Sequence, residues 1–435
     1  MKRVLIISLL ILISSLAVFA GGRASSSAPV DLEKPVSMVL WTHEDVNRGV
    51  LERRLLRDFN AIHPNVTVDY QEYPSGRMRE LLTVALSANQ GPQIFNQGMV
   101  VIRDFVLEGR TTALDPAWIG ERSIIDVKSR YIPRTLEGVE LGNDLYGLPM
   151  EAGNQTIYLN KKMFREIGLN PETDYPKTWE EVMEISERIV RRNGEIITRR
   201  GFDFRYPEYF YFMPMVEQMG GLLVSEDGRT GVINDNAWLN FFEYMRQWGP
   251  TGKNLGGPSY AAARTAFDLD DGSVAMSVSG LYQQGRMMTN NPAFYNSMEW
   301  MIIPYPQFRD AVNDIACPFG VQYYVINVQT SQEEKIWGWR VIDFMLSHGE
   351  DYLRDAAILQ PTLAVYESEV FKSMPYSDVF YNDMQKAKSN YYGPSSGLIS
   401  DRLVSAVNRV MLQGEDPITV LPIFRREIQE ILDQR

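Results

Sequence analysis

The stretch "DLYGLPMEAGNQTIYLNKKMF", residues 144–164, changes character along its length. It begins like a turn, passes through Pro149 and Gly153, and then becomes a β-rich run, TIYL. An acid and an amide, Glu151 and Asn154, lie between the turn-like part and the β-rich part. The pattern predicts a place where one compact unit passes into the next, with polar side chains at the passage.

The length and the composition of the chain limit what it can be. Its 435 residues exceed what one hydrophobic core normally supports, so two domains are expected. A hydrophobic content of 45% and a charged content of 23% are typical of a globular protein. The formal net charge of -12 repels phosphate backbones, so no nucleic-acid partner is expected.

The sequence contains few residues that could build a metal or redox site. Cys317 is the single cysteine, so an intramolecular disulfide is excluded and a buried apolar role is expected. The three histidines, His43, His63 and His348, lack the spacing of zinc ligands. "DLDDG", residues 268–272, weakly resembles a calcium loop, although a turn before a strand is the better interpretation. We therefore expect neither a metal nor a cofactor.

The N-terminus has the pattern of a secretory signal peptide. Two basic residues are followed by an apolar run at residues 4–19, and the small residue Ala20 offers a cleavage site. We predict a signal peptide over residues 1–20, with an uncleaved membrane anchor as the alternative. Residues 21–35 are then expected to form a flexible tether. The protein is therefore predicted to be exported.

The next part of the chain alternates between strand and helix patterns. Residues 36–41 are typical of a buried strand, and Leu51, Leu55, Phe59 and Ile62 have the spacing of one helical face. Three further elements follow in order, a strand at residues 66–73, a helix at 77–88 and a short strand after "NQGPQ". This alternation predicts a parallel sheet in an α/β domain.

Two helix starts are marked by capping boxes. Thr178 and Glu181 open the helix in "PKTWEEVMEISERIV", and Ser331 and Glu334 open the helix in "SQEEKIWGWRVIDFMLS". The strand "FGVQYYVIN", residues 319–327, precedes the second of these helices. The α/β pattern therefore continues into the later part of the chain.

Several segments occur in a characteristic order. They are "YGLPMEAGNQTIYLNKKMFREIGL" followed by "PKTWEEV", then "DGSVAMSVSGLY", "FGVQYYVIN" and "ILQPTLAVY". In their order and spacing they resemble the extracellular solute-binding proteins of ABC importers, in particular the carbohydrate-binding branch that includes maltose-binding protein. The resemblance extends from about residue 36 to the C-terminus.

The resemblance implies a two-lobed α/β fold of the periplasmic-binding-protein type. Each lobe is expected to hold a mostly parallel sheet flanked by helices, with hinge crossings near Gly153, Phe319 and Tyr366. Pro149 and Gly153 permit the sharp change of direction at the first crossing. The predicted lobes consist of residues 36–153 plus 320–366 for the first and 154–319 plus 367–435 for the second.

The resemblance also implies a non-catalytic receptor. Such a protein closes around a mono- or oligosaccharide and delivers it to the permease subunits of an ABC transporter in the inner membrane. It is expected to be a monomer. The alternative is a secreted carbohydrate-active hydrolase, which needs two acids held at a fixed separation. No such pair stands out, no phosphate loop or nucleophile elbow occurs, and no catalytic residue is predicted.

A sugar site needs acids, amides and arginines that bind hydroxyls, and aromatic rings that cover the apolar face of the sugar. In α/β sheets such groups gather after strand ends. The predicted ligand-binding residues of the first lobe and the crossings are Glu44, Asp45, Tyr73, Gln97, Glu151, Asn154 and Gln322. Those of the second lobe are Tyr209, Tyr211, Tyr282 and Tyr392.

Some of these candidates have a simpler alternative role. Glu44 and Asp45 are also suited to a helix N-terminus, where acids are favoured by the helix dipole. Gln97 is equally suited to a solvated loop, and Tyr73 to core packing. Tyr282 is favoured as a ligand contact because, by resemblance, it stands where relatives commonly carry a tryptophan that stacks on the sugar.

Two departures from the family bear on localisation and ligand. Gly21 stands where many relatives carry a lipid-bearing cysteine. A freely diffusing periplasmic or extracellular protein is therefore expected, or one retained by an uncleaved signal. The segment "PSSGLIS" lacks the tryptophan that malto-oligosaccharide binders use, so a maltodextrin ligand is not favoured.

Overall fold

A computed structural model describes residues 30–204, 209–225, 229–256, 267, 270–317, 320–388, 391–392 and 395–434, without the side chains of residues 75, 133 and 209–212. The chain forms two compact units, residues 1–35 and 36–435. In the first unit, residues 30–35 form a turn, and the predicted signal peptide lies outside the described residues. No helix among the described residues combines the length and apolar character that a bilayer crossing requires.

The described part of the second unit contains the strands β1 (Val36–His43), β2 (Val66–Tyr73), β3 (Ile94–Gly98), β4 (Glu140–Leu141), β5 (Asp144–Leu145), β6 (Leu148–Gly153), β7 (Thr156–Asn160), β8 (Arg191–Asn193), β9 (Ile196–Asp203), β10 (Val274–Ser279), β11 (Trp300–Ile303) and β12 (Gly320–Ile326). β4 and β5 form a small hairpin. The remaining strands form two five-stranded sheets.

The described helices are α1 (Val46–Ile62), α2 (Ser75–Ser87), α3 (Met99–Leu107), α4 (Ile124–Lys128), α5 (Lys161–Glu166), α6 (Trp179–Ile189), α7 (Tyr209–Gln218), α8 (Asp235–Trp248), α9 (Tyr282–Asn290), α10 (Pro292–Ser297), α11 (Gln332–Leu346), α12 (Gly349–Ala356), α13 (Leu363–Glu367), α14 (Glu369–Ser373), α15 (Ser377–Lys386), α16 (Ser396–Met411) and α17 (Pro417–Asp433). Short 3-10 helices lie at Pro116–Ile119 and Pro133–Leu136.

The first sheet has the strand order β2-β1-β3-β12-β6. β1 pairs in parallel with β2 and β3, as the strand–helix–strand pattern predicts, while β12 is antiparallel to β3 and β6. Helices α1, α2, α3 and α11 pack against this sheet. We call the sheet and these helices the first lobe.

The second sheet has the order β11-β7-β10-β9-β8. Only β9 and β10 pair in parallel, and the other neighbours are antiparallel. Helices α5, α6 and α10 pack against it, α9 packs against α10, and α8, α16 and α17 pack together. We call this sheet and these helices the second lobe. The predicted α/β architecture with two sheets is confirmed, and both sheets are mixed.

Local sequence patterns predicted several of these elements correctly. The capping boxes at Thr178 and Ser331 are both present. On α1 the predicted apolar face is confirmed at three positions, which are buried, namely Leu51, Leu55 and Phe59. The prediction that Ile62 belongs to this buried face is wrong, since Ile62 is the last residue of the helix and is 62% exposed. Cys317 is buried, as predicted.

The opening stretch connects the two sheets. β6 belongs to the first sheet and β7 to the second, with Asn154 and Gln155 between them. The chain returns to the first sheet at β12, and the predicted crossing residue Phe319 lies outside the described residues. Tyr366, at the third predicted crossing, lies in α13. The exact division of the chain into lobes stays a prediction.

One core cluster joins the segment after β12 to the second sheet. Trp300 of β11 and Tyr158 of β7 are buried together with Leu353, Leu359 and Val365. These three residues fall within the segment predicted for the first lobe, yet their side chains pack against strands of the second sheet. The returning chain therefore contributes to the core of the second lobe.

Candidate functional site

Three strands of the first sheet carry polar side chains at one edge. Gln322 of β12 is aligned with Gly98 at the end of β3 and with Glu151 near the end of β6. Gln97 is aligned with Tyr323 in the same register. Because neighbouring strands lie about 4.8 Å apart and aligned residues share a face, Gln322 and Glu151 lie next to one another, whereas Gln97 is aligned with Tyr323 and points to the opposite face. The sheet pairing therefore brings the predicted site residues Gln322 and Glu151 together and places Gln97 at the same edge on the other face.

The second sheet presents a corresponding edge. The parallel strands β9 and β10 end at Asp203 and Ser279, and Tyr282 follows β10 as the first residue of α9. Ser279 is aligned with Thr156, so β7 starts at this same edge. Only two residues separate Gly153 from Thr156, so the edges of the two sheets adjoin at the crossing.

Side chains also link the two lobes away from the crossing. Asn47 Nδ2 donates to the carbonyl oxygen of Gly285 at 3.5 Å, and Thr289 Oγ1 donates to Asn47 Oδ1 at 3.2 Å. These bonds join the start of α1 to α9. A second link is made where Arg134 Nη1 donates to the carbonyl oxygen of Ala387 at 3.1 Å, and Ala387 follows α15, whose Phe380 shares a core cluster with Tyr158 of the second sheet.

The two links lie on opposite faces of the first sheet. The hydroxyl of Tyr324 donates to Glu52 of α1, whereas the hydroxyl of Tyr323 donates to the carbonyl oxygen of Thr135, beside Arg134. Successive side chains of a strand point to opposite faces, so α1 and the 134–135 segment cover different faces. The adjoining edges therefore lie between two contacts that hold the lobes together.

Glu151 lies among charged groups from both lobes. Burial raises the pKa of its carboxyl from 4.5 to about 7; Arg48 opposes this shift, Asp45 adds to it, and Arg286 opposes it. Arg286 belongs to α9 of the second lobe, whereas the other groups belong to the first. The charge of Arg286 on the second lobe therefore acts across the junction of the lobes on the carboxyl of Glu151 on the first.

Tyr282 and Arg286 form the part of α9 that approaches this junction. The guanidinium carbon of Arg286 lies 5.0 Å from the centroid of the Tyr282 ring, which is a cation–π contact. The Tyr282 side chain is only partly buried. The second lobe therefore offers an accessible aromatic surface beside a cationic donor, a combination that suits both the face and the hydroxyls of a sugar.

The pKa of Glu151 predicts how stability depends on pH. The folded-state pKa, about 7, exceeds the ordinary value of 4.5, so the folded protein holds this proton more tightly than the unfolded chain. The resulting stabilisation is present below the ordinary value and is lost as the pH rises through the folded value. We expect the free energy of unfolding of the wild type to fall over this range relative to that of Glu151→Gln.

Urea denaturation of both proteins across this pH range measures the difference. The matched control is Glu430→Gln, because Glu430 is 60% exposed and should leave the wild-type profile unchanged. Parallel profiles for the wild type and Glu151→Gln would show that Glu151 titrates as an ordinary surface acid.

Asp45, Glu44 and Tyr73 lie where β1 and β2 end. Oδ1 of Asp45 accepts a hydrogen bond from the backbone N–H of Arg48 at 3.0 Å, so Asp45 caps α1. Glu44 is exposed, and its backbone N–H donates to the carbonyl oxygen of Tyr73 at 2.9 Å. The hydroxyl of Tyr73 donates to Oε1 of Gln71 at 2.9 Å. Their contact with a ligand stays a prediction.

Other predicted residues have partners within the protein. Asn154 is 1% exposed and its Nδ2 donates to the carbonyl oxygen of Phe380 at 3.2 Å, so its amide anchors the crossing instead of facing an open cleft. The hydroxyl of Tyr392 donates to Glu217 Oε1 at 3.3 Å. Two predicted residues begin α7, and their side chains lie outside the described part, namely Tyr209 and Tyr211.

Trp41 was not among the predicted residues. Its ring centroid lies 4.8 Å from that of Tyr73. Within the described part of the chain, the buried atoms Nε1 of Trp41 and Oε1 of Gln322 have no hydrogen-bond partner. Buried polar atoms are normally paired, so both atoms mark positions where a ligand could complete a hydrogen bond. The sequence signal was the aromatic residue at the end of "VLW".

The acidic segment before β10 is occupied by internal bonds. Asp270 accepts from Asn160 Nδ2 and from Lys162 Nζ, each at 2.6 Å, and Asp271 accepts from the backbone N–H of Ser273 at 2.8 Å. Across the described residues, no three or more His, Cys, Asp or Glu side chains are grouped so that they could hold a metal ion.

Sequence comparison relates the chain to one family. The family model described as "Bacterial extracellular solute-binding protein" matches residues 45–352. The arabinooligosaccharide-binding protein of Halalkalibacterium halodurans is 25% identical over 312 residues, which cover 70% of this chain and 66% of that relative. The chain thus spans slightly less than two thirds of that relative's length.

Solved structures share the fold at low sequence identity. An ABC-transporter solute-binding protein from Thermotoga lettingae, bound with α-D-tagatose, aligns with a TM-score of 0.78 at 16% identity and covers 91% of this chain and 99% of its own. The maltose/maltodextrin-binding domain from Bdellovibrio bacteriovorus, bound to maltotriose, aligns with a TM-score of 0.76 at 17% identity, covering 92% and 99%. The predicted two-lobed fold is thereby confirmed. The chain belongs to the family of bacterial extracellular solute-binding proteins.

Proposed function

We propose that this chain is a non-catalytic carbohydrate receptor of an ABC importer. The observation that carries the proposal is the pair of adjoining sheet edges, with Glu151 and Gln322 on the first lobe and Tyr282 and Arg286 on the second. A ligand bound there contacts both lobes at once. The family match and the sugar-binding relatives support this assignment.

The chemistry at the two edges suits a sugar. Glu151 and the amide oxygen of Gln322 accept from ligand hydroxyls, and the indole N–H of Trp41 and the guanidinium of Arg286 donate to them. The Tyr282 ring covers an apolar face of the ligand. The named relatives bind an arabino-oligosaccharide, tagatose and maltotriose, so the panel to be tested includes a pentose oligomer, a ketohexose and a glucose oligomer.

Binding acts through the equilibrium between open and closed lobes. A ligand that contacts both edges only in the closed form shifts the population towards that form by its difference in affinity for the two. The bonds of Asn47 with Gly285 and Thr289 form only when α1 and α9 approach each other, so they add to the stability of the closed form.

The remaining assignments follow from the receptor role. The partners are the permease subunits of an ABC transporter, to which the closed form delivers its sugar. The protein acts outside the inner membrane, in the periplasm or the extracellular space, as a monomer. The family description as extracellular supports this location.

One observation favours a second candidate, a carbohydrate-active hydrolase. Burial raises the pKa of Glu151 and the charge of another acid, Asp45, adds to this shift, and glycosidases use a pair of carboxyl groups of which one has a raised pKa. The capping bond of Asp45 to α1 argues for the receptor, because it commits one carboxylate oxygen to the helix. The two functions differ in whether the sugar is cleaved.

The experiment combines a binding screen with a cleavage assay. The purified protein is heated with each sugar of the panel, and a rise in melting temperature identifies a ligand. The same sugar is then incubated with the protein and analysed by chromatography. Binding without cleavage products supports the receptor, and cleavage products identify the hydrolase.

Tyr282→Ala tests the aromatic contact. Loss of the ring is expected to weaken the affinity for the best sugar of the panel by about 1–3 kcal/mol, measured by titration calorimetry. The control is Tyr381→Ala, because Tyr381 is 47% exposed and lies on α15. Equal affinities of the two variants would remove Tyr282 from the site.

A further inference from the structure

A buried polar chain runs beneath the first-lobe edge. Arg48 of α1 donates through Nη2 to Thr42 Oγ1 at 2.9 Å, and its Nη1 lies 3.2 Å from His43 Nε2. On the other side of the ring, His43 Nδ1 lies 2.9 Å from Asn96 Oδ1. Arg48, Thr42 and Asn96 are all 0% exposed. These three groups are thus withdrawn from water and, together with the partly buried His43, depend on one another for their hydrogen bonds.

The direction of every bond in this chain is determined. An arginine can only donate, so Nε2 of His43 is the acceptor and Nδ1 carries the hydrogen. That hydrogen is donated to Asn96 Oδ1, and Asn96 Nδ2 donates in turn to the carbonyl oxygen of Tyr323 at 3.2 Å. Burial, followed by the charge of Arg48, lowers the pKa of His43 to about 3, so the ring stays neutral.

The chain is anchored by a buried carboxylate. Glu52 lies 3.6 Å from Arg48 Nε, and neither side chain is exposed. It accepts hydrogen bonds from the hydroxyls of Tyr70, Tyr324 and Tyr352, at 2.7, 2.8 and 2.7 Å. The carboxylate therefore holds α1 against β2, β12 and α12 at the same time.

The position of the chain connects it with the candidate site. His43 immediately precedes the segment of Glu44 and Asp45, Asn96 precedes Gln97, and Tyr323 follows Gln322. His43, Asn96 and Tyr323, on the strands β1, β3 and β12, are therefore each next to a predicted ligand-binding residue. A shift in any bond of the chain would move one strand end relative to the next.

Replacing both partners of a fully buried ion pair, such as Arg48 and Glu52, by well-packed apolar residues of similar size often leaves a protein as stable or more stable. Stability alone therefore does not explain why a buried polar network is present. We propose that Arg48, His43 and Asn96 are positioning residues that hold the ends of β1, β3 and β12 in the arrangement that binds the sugar. This inference rests on the proposed function. In this inference the hydrogen-bonded groups set the geometry of the site, and the neighbouring side chains bind the sugar itself.

Asn96→Leu tests the positioning role. The change keeps the number and branching of the side-chain heavy atoms but removes the bonds to His43 and to the Tyr323 carbonyl. The matched control is Asn327→Leu: Asn327 is 4% exposed and its Nδ2 donates to the carbonyl oxygen of Pro92 at 3.2 Å, beyond the other end of β12. Titration calorimetry with the sugar selected by the panel gives the Kd and the stoichiometry, and melting gives the stability.

We expect Asn96→Leu to raise the Kd about tenfold at unchanged stoichiometry. Both variants should lower the melting temperature to a similar extent. Asn327→Leu, however, should leave the Kd near the wild-type value. Loss of folded protein alone would lower the stoichiometry without changing the Kd. A wild-type Kd in Asn96→Leu would therefore overturn the inference.

His43→Gln provides a second variant for the case that Asn96→Leu does not fold. Its side-chain oxygen can still accept from Arg48, but the amide no longer spans the distance to Asn96, so a rise in Kd is again expected. An unchanged Kd in a folded His43→Gln protein would contradict the inference. A wild type that binds no sugar at all would instead overturn the proposed function and the inference with it.

Discussion

Replacing Glu52 by Gln is expected to lower the free energy of unfolding by about 3–5 kcal/mol, because removing one partner of a buried pair leaves the other charge uncompensated. Arg48 and Glu52 are both 0% exposed, so water cannot replace the lost carboxylate. The amide of Gln also donates, and it would meet the hydroxyls of Tyr324 and Tyr352, which already donate at this point.

Chemical denaturation of the wild type and Glu52→Gln measures this loss. The matched control is Glu430→Gln, since Glu430 is 60% exposed and lies 3.7 Å from Arg426 in a surface ion pair. Such pairs contribute about 0–1 kcal/mol, so the control should stay close to the wild type. Similar small changes in both variants would mean that Glu52 does not carry a buried charge opposite Arg48.

Trp300→Ala is expected to cost about 3–5 kcal/mol, the usual range for removing a large buried aromatic side chain. Trp300 is 0% exposed, and its ring centroid lies 6.1 Å from that of Tyr158 and 5.6 Å from that of Tyr295. Its indole N–H donates to the carbonyl oxygen of Tyr295 at 3.0 Å. The substitution therefore creates a cavity and leaves that carbonyl without its indole donor.

The same denaturation experiment measures the loss for Trp300→Ala. Ile418→Ala is the control, because Ile418 is 71% exposed and its side chain fills no core position. The cluster around Trp300 also contains Leu353 and Leu359 from the returning segment. Trp300→Ala should therefore also loosen that segment, which native-state hydrogen exchange would detect as faster exchange in α12. Unchanged exchange in α12 would show that the returning segment does not depend on this cluster.

The candidate site and the buried chain below it divide the work of binding. Glu151, Gln322, Tyr282 and Arg286 lie partly buried at the adjoining edges. The hydrogen-bonded groups lie behind the first edge and are Glu52, Arg48, Thr42, His43 and Asn96. Stability measured with Glu52→Gln and affinity measured with Asn96→Leu therefore report on two different consequences of one hydrogen-bonded network.

Much of the local structure could be predicted from the sequence. The strand at Val66–Tyr73 and the capping boxes at Thr178 and Ser331 agree with the structure residue by residue. These features depend on neighbours within a few positions, such as the alternation of a strand or the spacing of a cap. The order of motifs was also enough to identify the family and the two-lobed fold.

The partners of the buried and crossing residues could not be predicted. Asn154 looked like a residue of the cleft, but its amide is bonded to Phe380. No sequence pattern singled out Glu52, yet it accepts a hydrogen bond from Tyr352, which is 300 positions away in the chain. Trp41 was overlooked because a tryptophan at a strand end is equally typical of a core.

The sequence by itself therefore determined the elements, their order, the family and the segment in which the chain changes lobes. Only the tertiary structure decided which polar side chains are used internally and which remain at the edges for a ligand. The physical reason is the range of the interactions involved. Helix caps and strand alternation are set by adjacent residues, whereas burial and hydrogen-bond partners depend on strand register and on which distant segments the fold brings together.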